Sequence, residues 1–380
     1  MTPLYFTLFL FSCLAILSLF RFRGFPSMGR NKVLFVFLCV YVICFLGLRN
    51  QNVGTDTPFY VKYFLYPFFG YRGVKQSIGF SCFNSVVAFF SKNVTYYLFV
   101  SAFVSLFGLL LLIYKKSYNY MMSLCLFWIF SVSEPFFICY CGIQKQALSM
   151  SFCFMALFFW ITFKGTPKNV LTASCAIVAV SIHITSLFGL LLYVIGYMIS
   201  LNKNSIKKLL FIVPLSYFLG CFSVSLDSYL VYGLAAIGMA ETHYIMYLDG
   251  SYGLASYNSF SSLINMLSLP LTIIVEFMLY VKYKKKDYCS NDVVLQCLIV
   301  GTIVNNLFVN CVLWGRLTCY STMLILICAP NFMETLKLKY KMTMWGLIWS
   351  VFVFKTYKYL IWQQSPYAVG SIIYPYTFFN

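Results

Sequence analysis

Charged side chains are scarce in this chain. Only 9% of its 380 residues are charged, and nine acidic residues stand against 27 Lys and Arg. The hydrophobic share is 61% and the mean hydropathy is +0.83, far from the composition of a soluble globular protein. The composition therefore indicates an integral membrane protein. Because the basic residues form short clusters between apolar runs and no soluble basic domain exists, nucleic acid is not an expected partner.

Motifs of nucleotide chemistry are missing as well. The sequence has no Gly-Lys-Ser/Thr phosphate loop and no Asp-x-Asp pair for a metal-bound nucleotide sugar. Its 15 cysteines lie mostly inside apolar runs without metal-ligand spacing, so we expect core thiols. These absences argue against an ATP-driven or nucleotide-sugar mechanism. We predict no cofactor and no metal site.

Apolar runs long enough to cross a bilayer core of about 30 Å recur along the sequence. We predict an all-α polytopic membrane protein with about 12 transmembrane helices, some short or re-entrant, in one domain over residues 1–380. The predicted spans are residues 3–20, 31–48, 94–114, 119–138, 146–163, 169–184, 187–201, 207–225, 259–281, 292–312, 317–335 and 342–361. Two longer outer-face loops are predicted at 49–93 and 226–258, the first containing an interfacial or re-entrant helix at 77–90.

The basic residues orient these spans, since cytoplasmic loops hold the excess of Lys and Arg. Alternate loops hold 18 of the 27 basic residues, while residues 227–258 have none and are expected outside. Residues 169–201 could form one long span or two short ones. A single span would place the later Lys clusters outside, so we favour two short helices with an outer turn.

The segment Arg49–Tyr60 is strongly polar and follows a predicted span directly. Gly54 can adopt positive φ, Asp56 can cap a helix, and Pro58 suits the first helical turn. A short helix should therefore begin here, with its free backbone amides available to an anion. The structural alternative is that Asp56 only caps this helix or pairs with Arg49. Residues expected on one face of that helix are Tyr60, Tyr63 and Phe64.

Other polar residues gather at the outer ends of the predicted helices, where intramembrane polar groups are functional candidates by default. They are Gln144, Lys145, Gln146, Ser149, Cys153, His183, Ser186, Asn306, Asn310, Arg316 and Tyr320. Ordinary structural roles compete with this interpretation. The Ser149 and Cys153 stripe is typical of a helix contact, and a lone His is more often a hydrogen-bonded core residue than a catalyst.

These landmarks together resemble the EpsG-like branch of the Wzy-type O-antigen and exopolysaccharide polymerases. The resembling residues are Arg49, Val53 to Thr57, Tyr60, Lys145 to Leu148, His183, Ser186, Arg316, Tyr320 and Tyr374 to Tyr376. At Lys145 the chain departs from the family pattern, which usually has Arg before Gln. Lys keeps the charge but loses the planar fork that can bind a phosphate with two hydrogen bonds.

The resemblance implies a glycosyltransferase of the bacterial inner membrane with its active site facing the periplasm or outside. Its substrates would be undecaprenyl-pyrophosphate-linked oligosaccharides, and it would be surrounded by membrane lipid. A chain-length regulator protein would be a further candidate partner. The implied catalytic residues are Asp56, His183 and Arg316, with Glu134 as a third candidate base. The implied substrate-binding residues are Arg49, Thr55, Tyr60, Lys145, Gln146 and Tyr320.

Two other functions stay open on the sequence alone. An O-antigen ligase would use a similar lipid donor, so its chemistry would need the same residue types. A flippase or transporter for the lipid-linked unit usually has two pseudo-symmetric halves around a midplane cavity, and the sequence shows no internal repeat of that kind.

Overall fold

The computed structural model describes residues 2–19, 28–54, 56–66, 77–131, 140, 144–202, 205–222, 268–285, 292–308 and 312–363. The regular elements in these residues are helices, as the all-α prediction requires. The α-helices are α1 (Thr2–Leu19), α2 (Lys32–Gly47), α3 (Thr57–Leu65), α4 (Ile78–Phe90), α5 (Val94–Lys116), α6 (Tyr120–Ser131), α7 (Gln144–Thr162), α8 (Gly165–Ile182), α9 (Ser186–Ser200), α10 (Ser205–Phe222), α11 (Ser268–Lys284), α12 (Val293–Leu307), α13 (Val312–Thr322), α14 (Ile325–Glu334) and α15 (Leu338–Gln363). A short 3₁₀ helix covers Met28–Arg30.

Three segments of the described chain are long and apolar enough to cross a membrane: Val94–Lys116, Gln144–Thr162 and Leu317–Glu334. Several other described helices are apolar but shorter, among them α2, α4 and α12. The chain is therefore a helical membrane protein. The count of about 12 spans and the single-domain organisation stay predictions.

Helices α8 and α9 are separate, which confirms two short helices in place of one long span. His183 has extended backbone angles, φ −151° and ψ 120°, and ends α8. The N–H of Ser186 then donates to the carbonyl of His183 at 3.0 Å, which closes a turn before α9 begins. The polar residues His183 and Thr185 thus lie in a turn and outside both helices.

The predicted span 317–335 is not one continuous helix. It is divided between α13 and α14 by a turn at Met323 and Leu324. There the N–H of Leu324 donates to the carbonyl of Ser321 at 3.0 Å, and that of Leu326 to Met323 at 3.1 Å. These three-residue bonds tighten the chain locally, as 3₁₀ geometry does. No Gly or Pro marks this break in the sequence.

Helices approach each other closely where small residues face a neighbouring backbone. A Cβ on Gly108 of α5 would overlap the carbonyl oxygen of Ser151 in α7. The N–H of Gly108 also donates to the Ser151 hydroxyl at 2.9 Å. A Cβ on Gly196 of α9 would lie 2.7 Å from the backbone of Cys297 in α12. Such small-residue contacts are a main source of helix association in membranes.

One polar cluster, which we call the Asn119 cluster, joins α1, α6, α14 and α15. The amide of Asn119 donates to the hydroxyl of Ser18 at 3.0 Å and to a carboxylate oxygen of Glu334 at 3.1 Å. The other oxygen of Glu334 accepts from the Lys341 ammonium at 3.2 Å. Nearby, the side chain of Asn331 donates to the carbonyl of Lys116 at 2.7 Å, which places the cluster at the carboxyl end of α5.

Candidate functional site

The helix predicted after Gly54 is present as α3. Gly54 has φ 101°, Asp56 is the residue before the helix, and Pro58 lies in its first turn. The Asp56 side chain makes no capping hydrogen bond. Its backbone carbonyl instead accepts from the N–H groups of Phe59 and Tyr60, both at 3.1 Å. The alternative in which the carboxylate of Asp56 caps α3 is therefore wrong.

The aromatic face predicted for α3 is confirmed. Tyr60, Tyr63 and Phe64 are all buried. The ring of Tyr60 lies edge-on to Phe80 of α4 at 5.5 Å, and the ring of Phe64 stacks on Tyr97 of α5 at 4.3 Å. These ring pairs hold the polar start of α3 against two other helices.

Lys145 lies in the first turn of α7, where the helix dipole disfavours a positive charge. Aromatic rings offset this cost. The Lys145 ammonium lies 5.2 Å from the ring centroid of Phe80 and 5.9 Å from that of Tyr63, within the range of cation–π attraction. The cation is thus held where α3, α4 and α7 meet.

Arg49 and Gln144 both interact with the hydroxyl of Tyr97 in α5. The Tyr97 hydroxyl donates to the amide oxygen of Gln144 at 2.9 Å, and the charge of Arg49 acts on that hydroxyl. Arg49 is only 3% exposed, and its guanidinium donates to the carbonyl of Leu46 at the carboxyl end of α2. A cation there is favoured by the helix dipole. The predicted pyrophosphate contact of Arg49 stays a prediction.

A hydrogen-bonded series, which we call the His183 chain, links three separate parts of the sequence. The Nδ1 atom of His183 lies 3.3 Å from the hydroxyl of Thr185, which lies 2.9 Å from the hydroxyl of Tyr320 in α13. The Tyr320 hydroxyl lies 2.8 Å from that of Ser149 in α7. The Ser149 hydroxyl donates to the backbone carbonyl of Gln146 at 3.0 Å.

The imidazole of His183 is neutral at physiological pH. Burial and, to a smaller extent, the nearby charge of Lys145 together lower the pKa of His183 from 6.5 to about 4. Both effects disfavour the protonated ring. A neutral imidazole keeps one nitrogen lone pair, so it can accept a proton or a hydrogen bond.

The amino end of α4 packs directly beside His183. The hydroxyl of Ser77 donates to the carbonyl of Ile182, the residue before His183. A Cβ on Gly79 would lie 2.7 Å from the backbone nitrogen of Ile182, so only glycine allows this approach. Helix α4, which was predicted as an interfacial or re-entrant helix, thus reaches both Lys145 through Phe80 and the turn after α8.

Tyr320 is fixed on every side. It is fully buried, and the Tyr193 hydroxyl donates to its backbone carbonyl at 2.6 Å. A Cβ on Gly189 of α9 would lie 2.5 Å from its ring, so the ring rests on the backbone of α9. Its predicted substrate contact stays a prediction.

The Ser149 and Cys153 stripe makes contacts between helices, as its structural interpretation predicted. Ser149 bonds Tyr320, and the thiol of Cys153 donates to the carbonyl of Ser186 at 3.9 Å. Asn306 also has a packing role, because its amide group bonds Thr272 of α11 and Ser216 of α10. The cysteines within the described residues are free thiols.

The structure therefore brings Lys145, His183, Tyr320 and Gln146 to one end of the helices. Arg316 lies in α13, one turn before Tyr320. Several predicted positions lie outside the described residues: Thr55, Glu134, Asn310, the side chain of Arg316, residues 67–76 of the first outer loop, the loop 226–258 and Tyr374 to Tyr376.

Thr185 is the residue of this site that the sequence did not single out. A signal for it existed, since Thr185 stands between His183 and Ser186 in a predicted turn. What the sequence could not show is its contact with Tyr320, 135 positions further along the chain.

A sequence model of the EpsG family matches residues 32–378. The chain belongs to the EpsG family. Membership in the EpsG family indicates a membrane protein of the exopolysaccharide or O-antigen polymerase type. Helix α1 precedes the matched range, whereas every residue of the candidate site lies inside it. Searches of curated proteins and of solved structures find no match.

Proposed function

We propose that this EpsG-family protein is a polymerase that transfers a growing glycan from undecaprenyl pyrophosphate to the next lipid-linked repeat unit. The reaction would take place on the periplasmic or outer side of a bacterial inner membrane. The observation that supports it best is the proximity of Lys145 and His183 where α3 and α4 pack against α7, within a chain of this family.

The chemistry joins an acceptor hydroxyl to an anomeric carbon. A new bond forms between the acceptor oxygen and that carbon while the bond from the carbon to the pyrophosphate oxygen breaks. The electron pair of the broken bond leaves with the lipid pyrophosphate. The hydroxyl proton passes to a base on the protein.

Cations assist by stabilising the charge that develops on the leaving pyrophosphate. We assign this role to Arg316 and Arg49, with Lys145 in support. Lys145 lies near the rings of Tyr63 and Phe80, and these contacts hold its cation where α3, α4 and α7 meet. Thr55, Tyr60, Gln146 and Tyr320 are the further proposed substrate-binding residues.

Asp56 and His183 are the proposed bases. Asp56 lies at the amino end of α3 without a side-chain capping bond, and His183 is neutral near pH 7 because of its low pKa. Either group can take the acceptor proton. A ligase would use the same groups on a similar donor, whereas a flippase would need none of them for bond making.

A deletion strain tests the proposal. Loss of the polymer ladder with a single repeat unit still attached to its core identifies a polymerase. Absence of any attachment identifies a ligase, and purified protein in vesicles that moves lipid-linked repeats without extending them identifies a flippase.

The same strain tests the residues. We expect Arg316→Ala and Asp56→Ala each to abolish the ladder at normal membrane levels. Arg30→Ala and Asp292→Asn are matched controls, since Arg30 lies over the Tyr118 ring and Asp292 only caps α12. Ladders of near wild-type length from both site variants would contradict the assignment.

A further inference from the structure

The His183 chain has a direction that its end fixes. A backbone carbonyl can only accept a hydrogen bond, so the single hydroxyl proton of Ser149 is used on Gln146. Ser149 must then accept from Tyr320, and Tyr320, having donated its one proton, must accept from Thr185. Thr185 in turn must accept from His183, which requires a proton on Nδ1.

The opposite direction exchanges one of these contacts for a longer one. It would have Thr185 donate to Nδ1, Tyr320 to Thr185 and Ser149 to Tyr320, and the bond from Ser149 to Gln146 would be lost. In exchange, an unprotonated Nδ1 could accept a hydrogen bond from the backbone N–H of Thr185, whose nitrogen lies 3.5 Å away. That contact is longer than the four of the series, which run from 2.8 to 3.3 Å.

We propose that Thr185, Tyr320 and Ser149 are positioning residues that hold neutral His183 with its proton on Nδ1 and its lone pair on Nε2. The role of that lone pair rests on the proposed function. During transfer Nε2 takes the acceptor hydroxyl proton as the new glycosidic bond forms and the pyrophosphate leaves. The hydroxyl of Thr185 accepts a hydrogen bond from Nδ1–H, and the series behind it stabilises the positive charge that develops on the ring.

The surroundings of His183 agree with a fixed neutral tautomer. Within the described part of the chain, Lys145 of α7 is the charged group that acts on the ring, and it opposes protonation. Tyr320 reaches it through Thr185 from α13, while α4 contributes the uncharged Ser77 and Gly79. Gly189 and Tyr193 of α9 hold the ring and the backbone of Tyr320 in place, which keeps its hydroxyl within reach of Thr185 and Ser149.

Nitrogen NMR tests the tautomer independently of activity. The chain has two histidines, His183 and His243, so the full-length variant His243→Gln with ¹⁵N-labelled histidine reports one ring. Near pH 7 we expect the proton on Nδ1. Thr185→Val and Tyr320→Phe should move it to Nε2, whereas Thr185→Ser should not. The matched control is Thr302→Val, whose hydroxyl bonds a carbonyl of its own helix. A proton on Nε2 in the starting protein overturns the proposal.

Chain extension in vesicles tests the consequence. Thr185→Val should lower kcat by about 10²-fold with KM unchanged, the usual contribution of a general base, and Thr185→Ser should restore most of it. Tyr320→Phe should lower kcat by a similar factor. If the wild type extends chains and these variants match it in kcat and in pH profile, the positioning role is refuted. If the wild type itself extends nothing while the NMR result holds, the proposed function fails and the tautomer assignment stands.

Discussion

The candidate site and the Asn119 cluster lie toward opposite ends of α5. Tyr97 bonds Gln144 near its amino end and Lys116 accepts from Asn331 at its carboxyl end, and these two residues of α5 are roughly 28 Å apart for a helix that rises 1.5 Å per residue. Both join several helices through buried hydrogen bonds. At the Asn119 end a carboxylate accepts from an amide and an ammonium, so opposite charges neutralise each other. At the His183 end hydroxyl groups lead in series to a titratable ring beside a cation. The first arrangement suits stability, and the second suits proton transfer.

The largest expected effect separates the two ends by activity. His183→Gln keeps a polar side chain of similar size but cannot act as a base. We expect chain extension to fall by about 10²- to 10⁴-fold, with membrane level and thermal unfolding little changed. Ladder length and purified-protein turnover measure this. A variant that extends normally would make the His183 chain a second purely structural cluster.

The pH dependence of stability is the next test. Above pH 6.5 His183 is neutral in the folded and the unfolded protein. As the pH falls from 6.5 to about 4, His183 becomes protonated in the unfolded chain and stays largely neutral in the folded protein. The free energy of unfolding therefore decreases. The full loss is about 3 kcal/mol and is complete near pH 4. We expect His183→Gln to remove this component and His243→Gln to keep it, as measured by denaturation of purified protein at several pH values.

At the other end, Glu334→Ala should affect stability and leave chemistry alone. It removes the acceptor of Lys341 and of Asn119, and we expect a loss of about 2 kcal/mol. Turnover per folded molecule should match the wild type. Glu334→Gln, which can still accept from Asn119, should lose less. A turnover defect as deep as that of His183→Gln would end the distinction between the two clusters.

The smallest expected effect comes from a pair of glycines. Gly189→Ala puts a methyl group against the Tyr320 ring, which costs on the order of 1 to 2 kcal/mol and displaces the His183 chain. Gly346→Ala in α15 meets nothing within 4 Å, so it should be neutral or slightly stabilising. Melting temperature and turnover of both variants check this. Equal results for the pair would mean that the packing of Tyr320 on α9 has no bearing on the site.

Much of the local structure could be predicted because its causes are local. Gly54 and Pro58 lie close together in the sequence and predict the start of α3. The lengths of the apolar runs predict most of the other helices. The turn at His183 followed from the shortness of the run before it and from the side on which the Lys clusters fall.

The rest depends on contacts between residues far apart in sequence. Nothing near Thr185 shows that Tyr320 lies against it, and nothing near Asn119 indicates Glu334. The break at Met323 and Leu324 has no Gly or Pro beside it, since Pro330 lies further on inside α14, so the sequence did not predict it. The roles of Asp56 and Arg316 came from family resemblance, which the family match now supports at the level of the whole chain.

Helix α4 has a consequence for how the protein should be handled. Its outward face exposes Ile78, Val86, Phe89 and Phe90, an apolar surface that fits lipid acyl chains, while its inward face holds Phe80 beneath Lys145. We therefore expect lipid to cover this face of the helix that supports the candidate site. Detergent would replace the lipid on this face with a less ordered environment. Assays in vesicles of native thickness are therefore the appropriate reference. A change of lipid chain length would test, without a mutation, whether the surroundings of α4 affect Lys145.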